Sequence, residues 1–174
     1  MSEPSIQSLY EKHANLVFFY LIKLTNNNDL ASDLMQETFI KAFRYLEKNK
    51  KVLQHKSWLL AIAHNEYRQH FRKALKQKSV PFELVDNTLE MSNDKVKSEL
   101  EENLEQSDLF DRVKNKLTSY KQDFASVFIL RVEYELTQKE ISEVMKIPKI
   151  TVRSHLKKIQ AIIIQSFAEE LNIK

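Results

Sequence analysis

Apolar residues recur at three- and four-residue intervals in two long blocks of this chain, and this spacing predicts amphipathic α-helices. The first block predicts three helices: residues 5–25, residues 30–47, and a third that begins at Ser57, its expected N-terminal cap. Residues 26–29, three asparagines and an aspartate, favour a turn and tolerate a left-handed backbone. One side of the third helix carries Leu60, Ala63, Tyr67, Phe71 and Leu75.

The second block predicts two helices that support a helix-turn-helix. The first of these two begins near Ser107 and presents Leu109, Val113 and Leu117 on one side. Ser119 and Gln122 are the expected caps of the second helix. Its apolar residues are Phe124, Val127, Phe128, Leu130 and Val132.

The helix-turn-helix is predicted from local signals near the end of the chain. Thr137 and Glu140 can form a capping box, in which each side chain satisfies a backbone donor of the first turn, so a helix should start at Thr137. Pro148 cannot continue that helix, which therefore ends near Met145. Proline is well tolerated in the first turn of a new helix. The inward stripe of that new helix is predicted to be Val152, Leu156, Ile159 and Ile163.

The outer face of this last helix is cationic and carries hydroxyl groups. If its apolar stripe is buried, the residues left facing water are Lys149, Thr151, Arg153, Ser154, Lys157 and Lys158. A helix with such a face, preceded by a short helix and a tight turn, suits entry into the major groove of DNA. The alternative is a helical hairpin with a merely solvated face. We favour DNA binding for the cluster as a whole.

A second cationic stripe is predicted on the third helix. His64, Arg68, Arg72 and Lys76 recur every four residues on one side. Beside them lie Asn65, Gln69 and Lys73. Cations interleaved with amides suit contact with a phosphate backbone and hydrogen bonding to an exposed base. The alternative is a surface on which long basic side chains cover apolar groups.

The second predicted helix keeps several charged and amide side chains outside. Asp33 and Glu37 lie one turn apart on the same side, and this like-charge pair is unfavourable in isolation. Two explanations remain open: pairing with Lys41 and Arg44 along the helix, or docking of a basic surface from a partner.

Charge is strongly segregated along the chain, although the net charge is only +3. Residues 1–78 carry 13 Lys/Arg against 7 Asp/Glu, residues 79–111 carry 2 against 10, and residues 112–174 carry 12 against 7. Two basic lobes joined by an acidic segment suggest two contacts with a polyanion. The fold class predicted is all-α: helical domains at 1–78 and 108–174, joined by a flexible acidic linker at 79–107.

Composition removes several classes of function. The 43% hydrophobic content supports globular cores, and the absence of cysteine excludes disulfides and thiolate metal sites. The sequence contains no glycine, which phosphate-binding loops and nucleophile elbows use. We therefore expect no enzymatic activity, no metal and no cofactor. With no secretory signal or run of apolar residues long enough to span a bilayer, we expect a cytoplasmic protein without membrane insertion.

Three motifs, in order, resemble the extracytoplasmic-function (ECF) sigma factors of bacterial RNA polymerase. The first, residues 24–39 (LTNNNDLASDLMQETF), is similar to the stretch that grips the polymerase clamp helices. The second combines residues 58–59 (WL), 62–65 (IAHN) and 72–73 (RK), and resembles the helix for the promoter melting element. The third, residues 136–145 (LTQKEISEVM) with 151–156 (TVRSHL), resembles the fourth region of the family.

The resemblance implies a sigma factor that directs core RNA polymerase to promoter DNA. Asp33, Gln36 and Glu37, with Lys41 beside them, would bind the polymerase, which favours docking over pairing within the helix. The C-terminal helix-turn-helix would read the upstream −35 element through Arg153, Ser154 and Lys157. The loop at residues 49–56 and Asn65 would serve the −10 element, together with the rest of the third-helix surface: Arg68, Gln69, Arg72 and Lys73. An anti-sigma factor is a further implied partner.

Some residues depart from the pattern of the family. Lys146, Ile150 and Glu135 stand where glycine is usual, and Gln69 stands where aspartate is common. The other function considered is a stand-alone helix-turn-helix regulator with a helical dimerisation or sensor lobe. Such a regulator would bind palindromic duplex sites as a symmetric dimer, without polymerase.

Overall fold

The computed structural model describes residues 6–48, 52–77 and 104–168, and every regular element in these ranges is an α-helix. The predicted all-α fold is therefore confirmed. The helices are α1 (Ile6–Thr25), α2 (Asn28–Lys48), α3 (His55–Gln77), α4 (Leu104–Tyr120), α5 (Gln122–Val132), α6 (Gln138–Met145) and α7 (Lys149–Phe167).

The segment predicted as a linker lies mainly outside the described residues. Helix α4 begins at Leu104, inside the predicted range 79–107, and residues 79–103 are not described. Among the described helices, none is long and apolar enough to cross a membrane.

Helices α1, α2 and α3 pack against one another in the first of two compact units. Their spacing of apolar residues explains the arrangement, because each helix buries one side and leaves the other in water. Tyr20 and Leu21 from α1 and Leu59 and Leu60 from α3 are fully buried at its centre. Phe39 of α2 makes an edge contact with Tyr10 of α1, with ring centroids 4.8 Å apart.

The turn between α1 and α2 forms as the asparagine run predicts. Asn26 adopts φ 49°, in the left-handed region that asparagine tolerates better than most residues. Asn27 then caps α2, because its Oδ1 accepts a hydrogen bond of 2.9 Å from the Leu30 amide. The side chain of Thr25 donates to the Leu21 carbonyl at 2.9 Å and closes the end of α1.

The predicted cap of α3 is wrong. The helix begins at His55, two residues before Ser57, and the Gln54 carbonyl accepts the amide of Trp58 at 3.1 Å. Ser57 therefore lies inside the first turn, where its hydroxyl is within 3.3 Å of Gln54 Oε1. Trp58 is half-buried and lies against Tyr45, with ring centroids 5.5 Å apart.

In the second unit, α5 packs against both α4 and α7, and α4 also contacts α7. Seven of the eleven residues of α5 are buried, from Phe124 to Leu130. Val132, predicted to be inside, is the last residue of α5 and is 54% exposed. The two predicted helices behind the helix-turn-helix are confirmed, but their caps are not.

The cap position of α5 is occupied by Lys121, and no side chain caps the helix there. Ser119, predicted as a cap, lies within α4 and donates its hydroxyl to the Lys116 carbonyl at 2.7 Å. Gln122 is the first residue of α5 and not its cap. Helix α4 continues to Tyr120, so the two helices are separated by a single residue.

The capping box of α6 is confirmed. The Thr137 amide donates to Glu140 Oε2 at 2.8 Å, and the Glu140 amide donates to Thr137 Oγ1 at 3.3 Å. The helix ends at Met145, and Pro148 occupies the cap position of α7. The Ser142 hydroxyl donates to the Ile147 carbonyl at 2.6 Å and ties the end of α6 to the turn.

Two left-handed residues flank α6, and neither is glycine. Glu135 adopts φ 55° before the helix, and Lys146 adopts φ 54° after it. In an L-residue this conformation brings Cβ close to the following carbonyl and costs roughly 1–2 kcal/mol. The turn of the helix-turn-helix is therefore held by the contacts around it and not by a residue that prefers its geometry.

Replacing Lys146 with glycine should stabilise the protein, because glycine adopts a left-handed backbone without a Cβ clash. Removing that clash stabilises the folded state by roughly 1–2 kcal/mol. The larger loss of backbone entropy of glycine on folding offsets about 0.5–1 kcal/mol of this stabilisation. We expect Lys146→Gly to raise the free energy of unfolding by about 0.5–1 kcal/mol. Denaturation in guanidinium chloride measures this difference.

Lys157→Gly is the matched control. Lys157 is exposed in the interior of α7, where glycine destabilises a helix by about 1 kcal/mol relative to alanine. Equal losses of stability in the two variants would contradict the conformational cost assigned to Lys146.

Candidate functional site

The outer face of α7 carries the cationic cluster that the sequence predicts. Five of its six predicted members are exposed and Thr151 is half-buried; the exposed residues are Lys149, Arg153, Ser154, Lys157 and Lys158. Val152 and Ile159 are buried on the opposite side, which fixes the rotation of the helix. Long cationic side chains on one face of an exposed helix can reach the phosphates and base edges of a duplex.

The buried stripe of α7 includes a histidine that the spacing of apolar residues does not predict. His155 is buried and packs edge-on against Phe124 of α5, with ring centroids 5.0 Å apart. Leu156 and Ile163, predicted to be buried, are only half-buried. Burial lowers the pKa of the His155 imidazole, so the ring is neutral at pH 7. Spacings of three and four from Val152 to His155 to Ile159 are helical, but histidine is not counted as apolar.

The predicted cationic stripe on α3 is shorter than expected, because His64 does not belong to it. His64 is 2% exposed, and its Nδ1 lies 2.9 Å from the Tyr20 hydroxyl of α1. Burial, reinforced by the charge of Arg68, lowers the pKa of His64 to about 3. The ring is therefore neutral and part of the core between α1 and α3.

The remaining predicted residues of α3 differ in their exposure to solvent. Arg72 and Lys73 are exposed, whereas Asn65, Arg68 and Gln69 are half-buried. The side chain of Lys76 lies outside the described residues. This part of α3 can place two cations in water and three further polar side chains closer to the helical bundle.

A part-buried ion pair joins α3 to α2 beside that surface. Lys41 Nζ of α2 lies 2.5 Å from Glu66 Oε2 of α3, and the Glu66 side chain is 8% exposed. Asn65 donates from Nδ2 to Glu66 Oε1 at 3.4 Å. Because a buried carboxylate is costly without a partner, the Lys41 ammonium group stabilises Glu66 in the contact between α2 and α3.

The outer face of α2 is acidic and is not neutralised by Lys41. Asp33, Gln36 and Glu37 are exposed along one side, with Arg44 further along the same helix. Lys41 points its ammonium group across to Glu66 instead of along α2. Of the two explanations for the Asp33–Glu37 pair, compensation by Lys41 within α2 therefore loses support.

Two family models match this chain. The model described as Sigma-70 region 2 matches residues 9–77, and the model described as Sigma-70, region 4 matches residues 121–161. The first match spans most of α1 and all of α2 and α3, and the second spans α5, α6 and most of α7. Together the two matches cover well over half of the sequence.

Two relatives match along most of their length. RNA polymerase sigma factor YlaC of Bacillus subtilis (strain 168) is 25% identical over 158 residues, which are 90% of this chain and 89% of the relative. ECF RNA polymerase sigma factor SigM of the same organism is 26% identical over 158 residues, which are 87% of this chain and 88% of the relative.

A solved structure has a similar fold. It is the co-crystal structure of the sigma factor RpoE in complex with the anti-sigma factor NepR from Bartonella quintana. The TM-score is 0.65 at 17% sequence identity, and the match covers 91% of this chain and 94% of that chain. At this identity the likeness concerns the fold.

The burial of neutral His64 predicts a pH dependence of stability. Its pKa is about 3 in the folded protein and about 6.5 when unfolded, so below pH 6.5 the unfolded state takes up a proton that the folded state does not. Stability should therefore fall as the pH drops from about 6.5 towards 3. Between pH 6 and 5 we expect wild type to lose roughly 1 kcal/mol more than His64→Gln.

Denaturation followed by the fluorescence of Trp58, the single tryptophan, measures this loss within the first unit. His70→Gln is the matched control, because His70 is exposed on the same helix. It should keep the pH slope of wild type. If His64→Gln kept that slope as well, the buried neutral state of His64 would be refuted.

Proposed function

This chain belongs to the sigma-70 family of RNA polymerase sigma factors, and we propose that its two helical units contact separate elements of a promoter. Proteins of this family bind core RNA polymerase and promoter DNA. We assign residues 1–78 to the unit that binds polymerase and the −10 element, residues 79–107 to a linker, and residues 108–174 to the unit that binds the −35 element.

The observation that carries this proposal is the two-sided character of α7. Its buried side packs on α5 and α4, and its opposite side presents four exposed cations and Ser154. Because the side facing away from the core is the side a duplex can approach, this helix is suited to lie in the major groove. In this proposal Arg153, Ser154 and Lys157 contact the −35 element, with Lys149, Thr151 and Lys158 at the margins.

The surface of α3 is the proposed site for the −10 element. Arg72 and Lys73 are exposed and suited to phosphates, and the side-chain amides of Asn65 and Gln69 can hydrogen-bond the edge of an unstacked base. Arg68 lies between these two groups. Of the predicted loop at 49–56, residues 49–51 lie outside the described part of the chain.

The acidic side of α2 is the proposed polymerase contact. Asp33, Gln36 and Glu37 offer two carboxylates and an amide on one exposed side, which suits a basic surface of core polymerase. Lys41, held by Glu66, lies at the margin of this patch and orients α2 against α3. The unfavourable proximity of Asp33 and Glu37 would then be relieved on docking.

In this proposal the protein acts by positioning, and core polymerase performs the chemistry. A factor that acts with polymerase on promoter DNA works in the cytoplasm, needs no cofactor of its own and inserts into no membrane. We also propose an anti-sigma factor as a partner, supported by the similar fold of a sigma factor solved in complex with one. A stand-alone helix-turn-helix regulator is not favoured, since the family matches include both region 2 and region 4.

Reversing the charge of the α2 patch should weaken binding to core polymerase. In the double variant Asp33→Lys/Glu37→Lys, two cations would face a basic partner, and we expect affinity to fall at least about tenfold. Titration of labelled protein with core polymerase measures the change, with circular dichroism to check the fold. The matched control is Glu11→Lys/Glu143→Lys, which alters the net charge equally at two exposed positions. Equal affinities in the two double variants would rule out this patch.

Removing a cation from the outer face of α7 should weaken promoter binding by the holoenzyme. We expect Arg153→Ala to cost roughly 1–3 kcal/mol on a duplex that carries the −35 element. Lys116→Ala removes a cation that is exposed on α4 and should bind like wild type. Gel mobility of promoter DNA with holoenzyme measures both. A normal affinity for Arg153→Ala would exclude this face from the interface.

A further inference from the structure

Ile150, the second residue of α7, is 70% exposed. With Gln138, Lys149 and Arg153 it lines an open depression where α6 and α7 begin. Single exposed apolar side chains are ordinary on protein surfaces. The exposure of Ile150 is informative because of where the residue lies on its helix.

The angular position of Ile150 is opposite to the core. Successive α-helical residues are about 100° apart, so Val152, His155 and Ile159 lie at about 200°, 140° and 180° from Ile150. All three are buried. The Ile150 side chain therefore projects from the middle of the exposed face, in the direction from which a duplex approaches.

Cations flank Ile150 on that face. By the same rotation Arg153 and Lys157 lie at about −60° and −20° from Ile150, and both are exposed. These charges favour a polyanion over an apolar protein surface as the occupant. Since Ile150 is near the N-terminus of the helix, it occupies the part of a recognition helix that contacts base edges.

Among the groups that bases present in the major groove, one is apolar and suits contact with an aliphatic side chain. Guanine, cytosine and adenine present hydrogen-bonding groups on their edges, whereas thymine also presents a C5-methyl group. An isoleucine over a polar edge would remove water from donors and acceptors without replacing their hydrogen bonds, which is unfavourable. Over a thymine methyl group it buries apolar surface on both partners.

We propose that Ile150 selects a T·A base pair in the −35 element by packing against the C5-methyl group of its thymine. The assignment rests on the proposed function of α7 and adds a specificity determinant to it. The largely exposed side chain contributes little to the core, so its removal should change base preference and leave the fold intact.

The test removes the methyl group alone. Binding sequences are selected from randomised duplexes with holoenzyme, and each thymine of the selected −35 element is then replaced by uracil, which keeps every hydrogen-bonding group. We expect one such replacement to weaken the binding of wild-type holoenzyme about three- to sixfold, the effect of losing one buried methyl group. With Ile150→Ala holoenzyme, the same replacement should have no effect.

Two further variants make the outcome specific. Ile150→Val keeps a branched apolar side chain and should retain most of the uracil effect. Ile164→Ala changes another exposed isoleucine of α7, about 21 Å further along the helix, and should retain all of it. Circular dichroism checks the fold of each variant.

Equal uracil effects in wild type and Ile150→Ala, or no effect at any thymine while holoenzyme still initiates at the promoter, would overturn this assignment alone. Failure of wild-type holoenzyme to select any −35 sequence would overturn the proposed function of α7 as well. The two failures are therefore distinguishable.

Discussion

The burial of one side of α7 against α5 and α4 is the constraint on which the proposed DNA contact depends. Val152, His155 and Ile159 fix the rotation of the helix, so that every cation of its opposite side faces water. In the turn before α7, Lys146 adopts a left-handed backbone that lysine disfavours, so the contacts around the turn hold it in place. The packing of the buried side of α7 therefore determines which side chains the exposed side can present to DNA.

In the first unit, polar contacts between helices help to fix the orientation of each helix. Lys41 and Glu66 join α2 to α3, and the Tyr20 hydroxyl meets the neutral ring of His64 between α1 and α3. The Tyr20–His64 contact lies inside the bundle, and the Lys41–Glu66 pair lies at its partly exposed edge, beside the residues proposed to contact polymerase and DNA. As a result, the acidic side of α2 and the basic side of α3 are held at a fixed spacing on one bundle.

Sequence periodicity predicted the helices and the exposed members of the α7 face, but it failed where a polar residue occupies an apolar position. His64 and His155 are buried as neutral rings, which a pattern of apolar residues does not detect. The capping box of Thr137 was predictable because its two residues interact with each other. Single serines such as Ser57 and Ser119 were not, since a serine hydroxyl can also bond a backbone carbonyl from inside a helix. The residues proposed to contact polymerase and DNA were predictable as exposed charged and polar side chains, whereas the identity of their partners came from the resemblance.

The scarcity of flexible residues affects the unfolded chain as well as the folded one. Without glycine, the denatured ensemble covers fewer backbone conformations, and less entropy is lost when the helices order. That smaller loss offsets part of the unfavourable geometry at Asn26, Glu135 and Lys146. The chain therefore forms its left-handed turns at residues other than glycine, and the restricted backbone freedom of its denatured state offsets part of their cost.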